Sequence, residues 1–573
     1  MRSLFFMLLL NLLLIFQSEA QVEFEDVSSL LGINITGPNN TKLGGVSFYD
    51  FDNDGWDDLT FACKGDFPVR FFKNIDGSYV EQDFSLNILG HSKQVIWVDY
   101  DNDGDNDLFV TKLDGANKLY QNNGSFSFTD VTISAGFTND VLITYGVTFG
   151  DYNSDGYLDL FLSNKDDDKI IPNMLYKNNG NGTFTDVSAS AGISSVGHLS
   201  FCAVFFDYNN DGHQDIYISN DRYAQNNILY KNNGNETFTD VSASSGAGIF
   251  ANAMTTTIAD YNSDGWFDIY VTNTSQGNFL LKNEGDGTFI DVATTTGTEF
   301  NSVGWGAVFL DVENDMDLDL YVSSMISDTS SGLLTSGFYI CDENTEYTIP
   351  SNVGFDDDEY KSFGSAMGDF NNDGKPDFVV TNEAPDNHSL WRNKSVTSNN
   401  WIKIKLEGTV SNKNGIGNRI EIFSNGISQY RYTICGEGFL GQNSNYEFIG
   451  LSDATNIDYI KVTWNKTGIV ETINNIQPNQ SITIQEGNGV LSTYNEELTN
   501  FSIYPNPSEN GIFKFTSGDA GAYFIEVFDI SGRMVISKTQ IENTINLSSL
   551  SKGIYLAKVN SDEKTKTIKL IKD

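Results

Sequence analysis

The chain has 573 residues, with 77 Asp and Glu against 34 Lys and Arg and a formal net charge of −43. Charge of that sign repels phosphate backbones and anionic lipid, which argues against nucleic acid or an anionic membrane as a partner. The length exceeds what one hydrophobic core usually serves, so two to four domains are expected.

Met1 to Ala20 has the pattern of a secretory signal peptide: Arg2, an apolar run from Leu4 to Phe16, then Ser18-Glu19-Ala20 before Gln21. Gln21 rather than a cysteine follows, which speaks against a lipid-anchored lipoprotein. No later stretch approaches the roughly 20 apolar residues of a membrane-spanning helix. The expectation is an exported chain with no transmembrane segment.

Seven times between residues 50 and 377 the chain repeats acid-x-(Asp/Asn/Glu)-x-Asp-Gly-x-x-Asp followed by an apolar residue, six of the copies with the glycine. The oxygen-bearing positions are Asp50, Asp52, Asp54 and Asp58; Asp99, Asp101, Asp103 and Asp107; Asp151, Asn153, Asp155 and Asp159; Asp207, Asn209, Asp211 and Asp215. They continue with Asp260, Asn262, Asp264 and Asp268; Asp311, Glu313, Asp315 and Asp319; Asp369, Asn371, Asp373 and Asp377. Oxygen ligands at alternate positions, with Gly where the backbone turns sharply, suit a hard divalent cation such as calcium. Up to seven Ca2+ ions are expected, one per loop. An EF-hand is excluded, because its twelfth position is a bidentate Glu and here that position is Phe61, Val110, Leu162, Ile218, Val271, Val322 or Val380. A short loop between strands can instead coordinate through positions one, three, five and nine, with the position-seven carbonyl adding an oxygen. The loops with Asn at the third position should bind more weakly than the first two. The sixth loop is the doubtful one, because Met316 replaces the turn glycine. The competing explanation is that these Asp side chains only form Asx-turns that cap the hairpins.

Successive loops start 49, 52, 56, 53, 51 and 58 residues apart, a period that suggests a propeller or a solenoid. Each unit runs from a strand such as Phe184-Thr185-Asp186-Val187 through Ala191-Gly192-Ile193 to an apolar run and the acidic loop. A strand such as Asp159-Leu160-Phe161-Leu162 follows, and then Asn173 to Tyr176 and a turn at Asn178-Asn179-Gly180. That is about four short strands per unit. Phe24-Glu25-Asp26-Val27 matches the strand that opens later units, and the last unit stops at Leu390-Trp391-Arg392-Asn393. The expected fold class is all-β: a seven-bladed β-propeller followed by two small β-domains, with an open solenoid as the alternative to a closed ring. Residues 22 to 397 resemble the FG-GAP or VCBS-type repeats of integrin-alpha-like propellers, including Phe149-Gly150-Asp151 and Met367-Gly368-Asp369 before two of the loops. The resemblance implies one calcium per loop, held by the same positions.

Beyond the repeats, Trp401 to Leu406 alternates as a strand. Asn414 to Ile422, Gly436-Glu437-Gly438-Phe439-Leu440-Gly441-Gln442 and Ile460 to Trp464 follow. This order of motifs resembles the ASPIC and UnbV domain that follows such repeats in the cartilage acidic protein family. Its glycine-rich stretches lack the strand-then-helix setting of a dinucleotide fingerprint and are expected to be tight turns of a small β-domain.

Tyr504-Pro505-Asn506-Pro507, the strands Phe524 to Asp529 and Gly553 to Val559, and the basic stretch Lys564 to Lys572 close the chain. They resemble the type A C-terminal sorting domain of the Bacteroidota type IX secretion system. That implies handling by the secretion machinery and a destination outside the cell or on its outer surface. The expected division is signal peptide 1–20, propeller 21–397, ASPIC/UnbV-like domain 398–487, linker 488–500 and sorting domain 501–573.

Chemistry beyond metal binding is sparse. His91, His198, His213 and His388 are scattered, and the four cysteines form no CxxC pattern, so no zinc site is indicated, while one oxidised pair stays open. Trp97 and Trp305 could line a sugar cleft, but core packing is the simpler role. A calcium-dependent binding or adhesion module for a glycan or protein ligand is the favoured expectation, and a polysaccharide-acting enzyme on a propeller scaffold is the alternative.

Overall fold

A computed structural model describes residues 22–35, 44–328, 330, 332–341, 345–355, 358–494 and, in the tail, 502–508, 510–516, 523–529, 534–540, 544–561 and 564–572. The signal-peptide stretch lies outside these residues. The described chain is all-β and forms two compact units, one comprising the described residues up to Asn479 with Thr483–Val490, the other Gln480–Ile482 with the described residues from Leu491 onward.

Seven of the sheets in the first unit are built alike. In the third repeat, Thr144–Gly150, Asp159–Asn164, Met174–Asn178 and Phe184–Asp186 pair antiparallel in that order. Composition explains the gradient across each sheet. The second strand Asp159–Asn164 is buried at every residue, whereas in the fourth strand only Phe184 is buried. First strands such as Ser200–Phe206 carry apolar residues on both faces, because they are covered on both.

The Phe-Thr-Asp strands were expected to open each unit, but the pairing makes them the outermost strand of the sheet begun by the preceding apolar run. A sequence period fixes the repeat length and not its phase. The same pairing joins the two ends of the array: Phe24–Asp26 lies antiparallel to Ser389–Asn393, completing the sheet of Ser362–Gly368 and Asp377–Asn382.

Residues 400–476 add two further sheets to the same compact unit. Asn400–Glu407 pairs with Tyr446–Ser452, and Arg419–Ser424 lies between Ile427–Tyr432 and Ile457–Thr463. The stretch from Cys435 to Gln442 departs from the expectation of turns within a small β-domain. Gly436 and Gly438 do adopt left-handed φ of 86° and 65°, but the segment leaves its own sheets and enters among the first strands of the repeats. Gly441–Gln442 pairs parallel with Val46 and Ser47. The Cys435 carbonyl accepts from Phe149 N at 3.0 Å, and Gly438 N donates to Thr256 O at 2.9 Å. Gln442 exchanges hydrogen bonds with the Trp97 backbone at 2.9 and 2.7 Å. Phe439 and Leu440, fully buried, join Phe201, Trp305 and Phe363. Two adjacent large apolar side chains between glycines find their core in another part of the chain. The eight-residue segment thereby meets first strands of all seven repeats.

The second compact unit has a sheet of Ser502–Tyr504, Ile512–Thr516 and Thr544–Asn546 and another of Met534–Gln540, Tyr523–Asp529, Gly553–Ser561 and Lys564–Lys572. Its core includes Phe513, Ile525, Val527, Leu547 and Leu570. The basic stretch is thus a paired strand.

Candidate acidic-loop metal centre

The seven acidic loops share one hydrogen-bond scheme. The first carboxylate accepts the N–H groups of positions five and six, as in Asp151, where Asp155 N and Gly156 N both lie at 2.9 Å. The fifth accepts the position-seven N–H, as in Asp155 with Tyr157 N at 3.0 Å. The ninth is buried at the start of the second strand and accepts an N–H from the end of the third, as in Asp159 with Asn178 N at 2.7 Å. Asx-turn bonding is therefore present in every copy, and the question is whether oxygen atoms remain for a cation.

They do. Asp52 Oδ1, Asp101 Oδ1, Asp159 Oδ2, Asp268 Oδ2 and Glu313 Oε2 are buried without a hydrogen-bond partner. Each is an orphaned anionic oxygen inside an acidic loop, which is costly unless a cation faces it. Among the described residues, two groups of three carboxylates converge closely enough to grip one ion: Asp50, Asp52 and Asp58, and Asp99, Asp101 and Asp107, with ligand atoms within 4.8 Å of one another. These are the first two loops, each with four acids. In the third, fourth, fifth and seventh loops an Asn side chain takes the third position. The all-oxygen donor set fits a hard divalent cation.

Electrostatics point the same way. Burial, followed by the neighbouring carboxylates, pushes Asp99 up to about 7 and Asp107 to about 9. Burial also raises Asp151 and Asp260 to about 7, against backbone amides that pull them down. In the sixth loop burial and mutual repulsion raise Asp311, Glu313 and Asp319 together. The first loop carries a cation of its own, since Lys73 Nζ bonds Asp52 and lies 3.0 Å from Asp54.

Met316 takes φ 89°, the value found at Gly55 and Gly156, so the sixth loop keeps the shape of the others at the cost of left-handed strain in a non-Gly residue. His213 does not face the loop interior. A Cβ added to Gly234 would lie 2.6 Å from its ring, which places His213 against the turn that follows the third strand, as Tyr157 and Trp266 lie against Gly180 and Gly285. His388 is a core residue stacked on Phe61, its Nδ1 accepting from Asn382 N at 3.0 Å. Trp97 and Trp305 are buried, as are Cys63, Cys202, Cys341 and Cys435.

Two sets of residues escaped the sequence reading. The fourth loop position, Asn or Ser in every copy, is left-handed throughout, and Asn tolerates that conformation best after Gly. Its side chain stitches neighbouring loops: Asn102 Nδ2 to Gly156 O at 2.9 Å, Asn210 to Gly265 O at 3.2 Å, Asn314 to Gly374 O at 3.3 Å and Asn372 to Gly55 O at 3.0 Å. The Asn that ends a third strand works in the other direction. Asn232 Nδ2 reaches Tyr152 O at 2.8 Å in the preceding loop, and Asn74 reaches Phe370 O at 2.8 Å, from the first repeat to the last. The Lys-Asn-Asn-Gly recurrence was the available signal, legible only as a turn.

Residues 399–466 touch all seven loops. Lys405 Nζ bonds Asn53 Oδ1 at 2.9 Å, and Asn414 Oδ1 accepts from Asp99 N at 2.8 Å. Lys466 Nζ bonds the Asp155 carbonyl, and Arg419 bridges Asn210 Oδ1 at 2.6 Å and Gly265 O at 2.9 Å. Asn399 Nδ2 meets Glu313 O at 3.0 Å, and Lys403 Nζ, almost wholly buried, meets Asp369 Oδ2 at 2.9 Å. Trp401 lies on the seventh loop so closely that a Cβ at Gly374, φ 78°, would overlap its ring. Gly374→Ala is therefore expected to cost about 3 kcal/mol through backbone strain and overpacking, read as a lower urea midpoint.

A chamber of about 80 Å3 with mixed polar and apolar walls lies beside loops five and six, lined by Asp260, Asp311, Arg431, Glu437 and Glu447 among others. Burial, with Arg431 opposing, raises Glu447 to about 8. A carboxyl raised in this way stabilises the fold below its unfolded value near 4.5 and loses that contribution as pH rises through about 8. Glu447→Gln should accordingly raise the melting temperature at pH 8.5 and leave it little changed at pH 5.

Comparison with known proteins agrees with this architecture. The FG-GAP-like repeat model matches residues 50–110, 99–162, 151–218, 207–271 and 260–322, which take in six of the seven loops. The ASPIC and UnbV model matches 408–491, and the secretion system C-terminal sorting domain matches 502–573. Cartilage acidic protein 1 of Mus musculus is 28% identical over 209 residues, 35% of this chain and 31% of that protein. The Homo sapiens protein is 28% identical over 187 residues, 31% of this chain and 28% of its own length. The matched region thus spans under a third of these relatives. Among solved structures, SapL1 lectin in complex with alpha methyl fucoside aligns with TM-score 0.34 at 12% identity, over 56% of this chain and 99% of that one. PorZ of the Porphyromonas gingivalis type-IX secretion system aligns with TM-score 0.19 at 11% identity, over 93% and 82%. No helix of the described residues is long and apolar enough to cross a membrane. The chain carries FG-GAP-like repeats and an ASPIC and UnbV domain, and it ends in a sorting domain that marks it for export, to be secreted or attached to the cell surface.

Proposed function

We propose that this protein is a calcium-binding, seven-bladed β-propeller that acts outside the cell as a binding or adhesion module for a glycan or protein ligand, with calcium in a structural role. Closure of the ring is supported by the pairing of Phe24–Asp26 with Ser389–Asn393 and by the bonds Asn372 to Gly55 and Asn74 to Phe370. One segment, Cys435 to Gln442, meets the first strand of every repeat, which supports strands gathered around it. The ligands of the ions are the side chains at positions one, three, five and nine of each loop, from Asp50 to Asp377.

The observation that carries the structural role is the contact of residues 399–466 with every one of the seven loops. Ions held there neutralise buried carboxylates under a second layer of protein and fasten the two layers together. Binding of the mature chain to a panel of glycans and matrix proteins, in 1 mM calcium and in chelator, tests the proposal. Saturable binding without chemical change of the ligand is expected. Turnover of a polysaccharide, abolished by a single acidic substitution outside the loops, would replace the module with an enzyme.

A further inference from the structure

An open groove of about 570 Å3 runs between the fourth and fifth repeats. The fourth supplies Asp211, Lys231 and Ser244, and the fifth supplies Trp266, Asp286 and Thr288. Its width is set by residues next to its walls. Asn210, beside Asp211, donates to Gly265 O, beside Trp266, and the Arg419 guanidinium bonds both residues while lying 4.6 Å from the centre of the Tyr430 ring. The indole of Trp266 packs against the hairpin turn, since a Cβ on Gly285 would lie 2.8 Å from its Nε1, yet the residue stays partly exposed. Asp286 is exposed at the hairpin tip, its Oδ1 accepting from Thr288 N at 3.1 Å and Thr288 Oγ1 at 2.6 Å.

We infer that this groove binds a neutral or amino sugar at the end of a glycan chain, an inference that rests on the reading of the protein as a ligand-binding module. A partly exposed indole offers a flat apolar surface to the C–H face of a sugar ring, and the carboxylates and hydroxyls beside it accept and donate to sugar hydroxyls. Charge sets the class. Asp286 is exposed at the groove edge on a chain of net charge −43, so uronates and sulfated sugars are repelled and amino sugars favoured.

The test is a titration of the mature protein in calcium buffer with lactose, mannobiose, chitobiose and digalacturonate, followed by calorimetry and tryptophan fluorescence. At least one of the first three should bind and shift the emission, and digalacturonate should not. Trp266→Ala and Asp286→Ala should each weaken that binding by tenfold or more. Asn181→Ala, in the corresponding hairpin of the third repeat, should leave it unchanged. Asp286 is exposed, so its variant keeps the result interpretable if Trp266→Ala unfolds. Undiminished binding in both groove variants, a preference for digalacturonate, or no binding of any disaccharide overturns the assignment. Retained binding of another ligand in the panel assay would show that the groove failed and the module reading did not.

Discussion

Stripping calcium with a chelator at neutral pH is expected to lower the melting temperature of the mature protein by more than about 10 °C. A site with a dissociation constant of about 0.1 mM is stabilised by roughly 1.4 kcal/mol at about 1 mM calcium. Seven such sites contribute on the order of 10 kcal/mol, comparable with the stability of a whole domain. The effect should depend on pH with a definite sign. Without the cation, Asp50 and Asp207 rise to about 6 and Asp99, Asp151 and Asp260 to about 7, chiefly because they are buried. Carboxyls raised above their unfolded value near 3.8 stabilise the fold below that value and lose the contribution as pH climbs through about 6 to 7. Chelated protein should therefore weaken from pH 5 to pH 8, while calcium-loaded protein, whose ligands must be ionised, gains. The gap between the two melting curves should widen over that interval, and a constant gap would contradict the role given to the loops.

The second large effect is expected at Phe439. Its ring lies 4.9 Å from Trp305 and 5.5 Å from Phe201, wholly buried, at the tip of the inserted segment. Phe439→Ala should cost about 3–5 kcal/mol, the usual loss for truncating a buried aromatic residue. Because the segment reaches all seven first strands, the loss should appear as one cooperative drop in the unfolding of the repeats together with residues 400–476. Separate transitions, with the repeats unaffected, would show that the insertion does not bind the layers together.

Much of this was legible in the sequence because local chemistry repeats. The acidic loops, the apolar runs beside them and the Phe-Thr-Asp strands each state their structure within ten residues, and the period gave the repeated four-stranded sheets. Gly436 to Gln442 was misread because its burial partners, Trp97, Phe201 and Trp305, lie more than a hundred residues away in sequence. The same holds for the asparagines that stitch the loops, since Asn372 and Gly55 meet only once the first and last repeats are adjacent. Lys403 and Trp401 read as ordinary positions of an alternating strand. Only the packed structure shows one against Asp369 and the other on Gly374.

The most direct test of the account is the number of calcium ions the folded chain holds, measured by equilibrium dialysis of the mature protein at pH 7.5 with metal analysis. The loops predict about six or seven ions per chain, the loop at Asp99 bound most tightly, the loop at Asp50 weakened by the competing Lys73 ammonium, and the loop at Asp311 filled last or left empty. A count of two or fewer at about 1 mM calcium, with an unchanged melting temperature in chelator, would contradict the assignment of the seven loops as the metal-dependent frame of the protein.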